Sequence, residues 1–153
     1  MAIDTYLIGN DGNVSFSVGG TTQSIFKVRS FAATLARPVS DLTSFGDTGR
    51  RKRLGMLDLS GTMNAVFGID STTGVNTAFW LFTDQTPSAT AANDKRPALT
   101  LTLYDGSGTS DAKIVANCVF SQFAFNATKD GDTTVTVNFE NADGAAPVVS
   151  WLV

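Results

Sequence analysis

Three stretches of this chain alternate apolar and polar residues with a period of two, and that pattern constrains the fold more than any other feature. "NVSFSVGG" sets Val14, Phe16 and Val18 against Ser15 and Ser17. "PALTLTLYDG" sets Leu99, Leu101 and Leu103 against Thr100, Thr102 and Tyr104, and "TTVTVNFE" sets Val135, Val137 and Phe139 against Thr134, Thr136 and Asn138. Successive side chains of an extended backbone point to opposite faces, so each stretch reads as a strand with one face buried. Two longer segments, 24–37 and 54–67, follow the same rule less regularly. In the second, Leu57, Leu59, Met63, Ala65 and Phe67 share a face with Gly55 and Gly61, while Asp58, Ser60, Thr62 and Asn64 make the opposite face polar. A further strand is expected over 113–126, with Val119, Phe123 and Phe125 on one side, and "PVVSWLV" reads as a short terminal strand.

Composition points the same way. Glu occurs once, at Glu140, and Lys is sparse, whereas Thr, Val, Phe, Gly and Asp are plentiful. Straight-chain charged residues favour helix surfaces, and β-branched and aromatic residues favour pleated ones, so the chain is expected to be mainly β. One short α-helix is expected in "GVNTAFWLFT", where Val75, Ala78, Phe79 and Phe82 fall at i, i+3, i+4 and i+7 and Ser71, Thr72 or Thr73 stands ready as a cap. "DGSGTSD" at 105–111 and "KDGD" at 129–132 read as hairpin turns. With 153 residues, no internal repeat and no dividing linker, residues 1–153 are expected to form a single domain. "MAIDTYLIGNDG" shows neither a basic nor an apolar leader region, and no run reaches the length of a membrane span, so a soluble protein made in a cytoplasm, without membrane insertion, is expected.

The chemistry available for catalysis is narrow. There is no histidine, which removes the commonest general base and metal ligand. Cys118 is the only cysteine and lies in the apolar run "IVANCVF", where a buried small side chain is the simplest reading. Asp11, Asp105, Asp130 and Asp143 each precede a glycine and read as turn formers. In "DGDTTVTVNFE" Val135 stands where a calcium loop starting at Asp130 needs glycine, and Glu140 comes one position early. No catalytic, metal or cofactor site is expected, and the protein is not expected to be an enzyme.

"TSFGDTGRRKRLG" concentrates the positive charge. Arg50, Arg51, Lys52 and Arg53 are consecutive in a protein of formal net charge −3. Nucleic-acid affinity comes mainly from phosphate neutralisation over a broad basic surface, and the other cations, such as Lys27, Arg37, Lys95 and Lys113, are dispersed among aspartates. Three readings stand at this point: a solvated loop end, a contact with another acidic subunit, and a nucleic-acid patch.

The segment "ARPVSDLTSFGDTGRRKRLGMLDLSGTMNAVF", residues 36–67, resembles the core signature of phage major tail tube proteins. The pattern is a long strand, a "dvT.fgd..r" loop and a second strand reading "g..d.sgt". Leu42, Thr43, Phe45, Gly46, Asp47 and Arg50, followed by Asp58, Leu59, Ser60, Gly61 and Thr62, fill those places. The resemblance implies an antiparallel β-sandwich or partial barrel with one short helix and a long inter-strand loop. It implies assembly into hexameric rings that stack into a hollow tube, with long strands from each subunit joining one barrel around the lumen. It further implies a virion location, tape measure and other tail proteins as partners, and transient passage of DNA.

On that basis Asp41, Phe45, Asp47, Arg50, Arg51, Lys52 and Arg53 are expected to form an inter-subunit contact loop. Asp58, Ser60, Thr62 and Asn64 are expected to face the lumen, where an acidic or neutral lining lets phosphates slide. Two other expectations belong beside this one. A head–tail connector or tail terminator would share the composition and form a single ring, and a carbohydrate-binding β-sandwich would need an exposed aromatic platform, for which Trp80 and Trp151 are the unplaced candidates.

Overall fold

A computed structural model describes residues 13–23, 26–67, 84–90, 93–104, 111–142 and 146–152. The expected helix at 74–83 with Trp80, the turn residues 105–110 and the Trp151 side chain lie outside the described residues. Ten strands are present among them: β1 (Asn13–Val18), β2 (Thr21–Gln23), β3 (Phe26–Ala36), β4 (Val39–Asp41), β5 (Lys52–Leu54), β6 (Asp58–Phe67), β7 (Ala98–Tyr104), β8 (Asp111–Asn126), β9 (Thr134–Asn141) and β10 (Val148–Leu152). The protein is mainly β, as its alternating pattern implies.

Eight strands form one curled antiparallel sheet in the order β2-β1-β7-β8-β9-β6-β3, with β10 added to β8. β8 joins its two halves. Residues 111–117 pair with β7, and residues 118–126 pair with β9. β10 continues on the β9 side, with Val148 opposite Val115. Because the sheet curls, both halves bury side chains into one core. Val18, Leu99, Leu101 and Ala116 come from one half; Leu59, Met63, Ala65, Val135, Val137 and Phe139 come from the other. Leu59, Met63, Leu99, Val137 and Phe139 are completely buried, each contributing roughly 1.5–3 kcal/mol relative to an exposed side chain.

Two departures from simple alternation have clear causes. The sequence pattern places Val119, Phe123 and Phe125 on one face, but the register shifts between Phe120 and Gln122. A bulge inserts Ser121, and one extra residue reverses the phase of the strand. Val119 therefore stands opposite Glu140 on the polar face, while Phe120 turns into the core. Phe123 then meets Phe120 edge to face, with ring centroids 5.9 Å apart. The second departure concerns the expected strand at 54–67. It breaks after Leu54, and β6 starts only at Asp58. Gly55 sits at the break, its N–H donating to the Pro38 carbonyl at 2.7 Å, and a Cβ there would run into the Pro38 ring.

The turns follow their residues. Gly19 and Gly20 both have positive φ and close the β1–β2 hairpin in two residues. The turn at 129–132 connects β8 to β9, as its Asp-Gly pair suggests. Residues 84–97 are held by Asp84, whose carboxylate accepts from the Thr86 N–H at 3.1 Å and pairs with the Lys95 ammonium. The Lys95 and Thr86 hydrogen bonds hold the Asp84 carboxyl down at about 2.

Two predictions follow from these contacts. Gly61 lies directly opposite Phe139, and a Cβ at Gly61 would meet the Phe139 ring and the Ala32 carbonyl. Gly61→Ala is expected to destabilise the subunit by about 1–3 kcal/mol, as overpacking does, measured by urea denaturation. For Asp84, a depressed carboxyl gives stability that is fully present above its unfolded value near pH 4 and is lost as pH falls through about 2. Amide exchange across residues 84–97 should therefore accelerate over that window, and Asp84→Asn should remove the pH step.

Candidate functional site: a polar sheet face and a projecting arm

The face of β3, β6, β9 and β8 opposite the core is built from the polar halves of four alternating strands. Strand register sets its rows. One row is Ala32, Thr62, Asn138 and Gln122; the next is Ser30, Asn64, Thr136 and Ala124. Within the first row Thr62 Oγ1 donates to Asn138 Oδ1 (3.0 Å), and Asn138 Nδ2 donates to Gln122 Oε1 (3.0 Å). Within the second, Thr136 Oγ1 donates to Asn64 Oδ1 (2.8 Å), and Asn64 Nδ2 donates to Ser30 Oγ (3.3 Å). These two rows hold no charged side chain. Two carboxylates, Glu140 and Asp58, stand at one end, where Ser60 pairs with Glu140 and Asp58 pairs with Ala36. At the other end the exposed pair Arg29–Asp132 spans 3.0 Å.

Asp58, Ser60, Thr62 and Asn64 thus share this face, with Asp58, Ser60 and Asn64 exposed. Alternation in β6 is sufficient to group them. The contribution of Ser30, Gln122, Thr136, Asn138 and Glu140 is not readable from any one segment, because it depends on register between strands far apart in sequence. Outward placement of Thr136 and Asn138 was visible in "TTVTVNFE"; their neighbours were not.

The second part of the site is an arm between β3 and β6. β4 and β5 form a separate two-stranded hairpin, with Val39 opposite Leu54 and Asp41 opposite Lys52. Its tip is tied by side chains. Asp41 accepts from the Thr43 N–H at 2.9 Å and from the Thr43 hydroxyl, and these bonds hold its carboxyl below the usual range. Thr43 Oγ1 in turn accepts from the Arg51 N–H at 3.1 Å. Asp47 accepts from the Ser44 N–H (2.8 Å) and hydroxyl (3.1 Å) and lies 3.4 Å from Arg51 Nε. Gly46 turns the chain with φ of 99°.

Of the seven expected contact residues only Asp47 is not exposed, and three have local roles as well. Asp41, Asp47 and, in part, Arg51 fold the tip. Phe45, Arg50, Lys52 and Arg53 are exposed. Phe45 is fully exposed, and Val39, Leu42, Leu54 and Met56 are each more than half exposed. Five large apolar side chains on a hairpin with no core of its own form a surface that soluble monomers rarely keep open. β3 has β6 on one side and no described strand on the other, an 11-residue edge of the kind that templates pairing.

No protein-family model and no curated protein matches the sequence. Solved structures do. A chain from the tail of an empty gene transfer agent particle, refined with C6 symmetry, superposes with a TM-score of 0.63 at 16% identity, covering 97% of this chain and 100% of that one. The SPP1 tail tube protein gives 0.62 at 9% identity, covering 95% of this chain and 79% of that one. A chain from the sheath/tube terminator of the extracellular contractile injection system PVC gives 0.55 at 11% identity, covering 90% and 92%. At 9–16% identity the strand arrangement still matches over nearly the whole length: the chain has the tail tube fold.

Proposed function

We propose that this protein is a structural subunit of a tail tube, whose work is self-assembly and not catalysis. The observation that carries this reading is the combination of an apolar, basic-flanked arm with a curled sheet whose end strand β3 has no described partner on its outer side. Subunits form hexameric rings, the rings stack, and β3, β6, β9 and β8 of each copy join a barrel around a lumen. The hydrogen-bonded polar face lines that lumen, with Asp58, Ser60, Thr62 and Asn64 toward DNA in transit. Phe45 and its apolar neighbours on the arm dock on adjacent subunits, and Arg50, Lys52 and Arg53 meet the acidic surplus of the chain. Tape measure and other tail proteins are the expected partners in the virion. The match to a sheath/tube terminator favours one second reading, a ring that closes a tube instead of building it.

Negative-stain microscopy of the purified protein separates the two: long hollow tubes for a tube subunit, single rings for a terminator, and dispersed monomers at high concentration against both. Arg50→Glu/Lys52→Glu/Arg53→Glu, which spares the Arg51–Asp47 contact, is expected to abolish polymerisation while leaving the thermal midpoint of the subunit unchanged; normal tubes would remove the role given to the basic block. Cys118 is buried and its thiol is pushed up to about 12, so it stays silent toward thiol reagents. In that background Asp58→Cys should react in assembled tubes with a small maleimide and be shielded from a bulky polymer maleimide. Equal labelling by both would place Asp58 outside the lumen.

A further inference from the structure

The arm formed by β4, β5 and the residues between them lacks the burial that orders the rest of the subunit. Its strands are three residues long and pair with each other, and every residue from 39 to 54 is exposed except Asp47. An isolated two-stranded hairpin is marginal in water, so side-chain bonds decide whether the tip has one shape. Two sets of them are nested there. In the outer set Thr43 Oγ1 is the hub. It donates to the Asp41 carboxylate and accepts from the Arg51 N–H at 3.1 Å, beside the backbone bond from the Leu42 N–H to the Arg51 carbonyl (2.9 Å). The hydroxyl thus ties the two sides of the hairpin just beyond their last ladder pair, Asp41 opposite Lys52. In the inner set the chain turns over residues 44–47. The Asp47 N–H donates to the Ser44 carbonyl at 3.1 Å, and the Asp47 carboxylate accepts the Ser44 N–H at 2.8 Å in return. Gly46 takes the positive φ that the third position of a type II turn needs, which leaves Phe45 at the corner. Arg51 belongs to both sets, with its Nε 3.4 Å from Asp47.

We propose that the arm tip is a knob folded before subunits meet, and that Thr43 is the positioning residue that sets Phe45 as its anchor. This role rests on the tube-subunit reading, in which the arm docks on an adjacent copy. Phe45 is fully exposed in the subunit, and a few large side chains desolvated at the centre of an interface carry most of its binding energy. What such an anchor contributes depends on what must be ordered at docking. A disordered tip gives up its backbone freedom at that moment. A tip already closed by Asp41, Thr43 and Asp47 has given it up on folding, so more of the contact energy remains for association.

Relaxation measurements by nuclear magnetic resonance on the subunit, and the threshold concentration for polymerisation, test this together. In the unassembled wild-type subunit, backbone order parameters over residues 42–51 should lie near 0.85, the value of rigid backbone. Values below about 0.6 overturn the proposal whatever the tubes show. Thr43→Val keeps the shape of the side chain and removes the hydroxyl. It should drop the order parameters of 42–51 below about 0.6 and raise the threshold roughly tenfold or more, because both bonds of the hub are lost. Thr43→Ser, which keeps the hydroxyl, should restore both readouts. The thermal midpoint should be the same in all three, since β4 and β5 lie outside the main sheet. Phe45→Ala should leave the order parameters unchanged and still raise the threshold, which separates the anchor from the clasp that holds it. Thr43→Val tubes that form at the wild-type threshold overturn the proposal, and so does a Thr43→Ser chain that behaves as Thr43→Val. A wild-type chain that forms neither rings nor tubes ends the tube reading and the docking role with it; a rigid tip loosened by Thr43→Val would then mark a clasp that serves the arm alone.

Discussion

A curled sheet that does not close on itself must deal with the backbone groups at its rim, and this constraint organises the molecule. Extended edges invite pairing with other chains, and natural β-proteins usually blunt them with charge, proline or covering elements. Here the rim is treated unevenly. At Phe120 the Gln85 side chain supplies both hydrogen bonds that a strand would have made, and Pro97 ends the neighbouring strand. Along β3 nothing comparable is seen among the described residues, and no described strand pairs with its side away from β6.

β8 links that rim to the core. Its first half belongs to one end of the curled sheet and its second half to the other, with the Ser121 bulge near the junction. The bulge reverses which side chains enter the core, so Cys118, Phe120 and Phe123 can all point inward along a strand of 16 residues. The same shift brings Gln122 onto the polar face, in reach of Asn138. Packing on one side and the hydrogen-bonded rows on the other thus depend on a single inserted residue.

Much of this was legible in the sequence, and the limits were physical. Strict alternation located β1, β7, β9 and most of β6 because one face of each is buried and the other is not. It failed at Val119 because a bulge leaves no signature in residue type. It overran at 54–57 because Gly55 and Leu57 continue the alternation while the Pro38 contact turns the chain away. The projecting hairpin of β4 and β5 was read only as a loop, since its strands are three residues long and exposed on all sides, so no buried face imposes a pattern. Asp41 and Asp47, expected as contact charges, also tie the tip through Thr43 and Ser44, a local role that spacing alone does not reveal. Gln85 carried no sequence signal, because its partner is backbone 35 residues away.

The hydrogen-bonded rows have an environmental consequence. Their members are amides and hydroxyls, none of which gains or loses a proton in the range where proteins work. The chain has no histidine, so nothing elsewhere on it switches charge near neutrality through an imidazole. The central band of the polar face therefore keeps the same neutral character across a change of surroundings, from the interior of a cell to an external medium of different acidity. In the tube proposed above, such a band would offer whatever passes one constant surface, with no acidity-dependent grip.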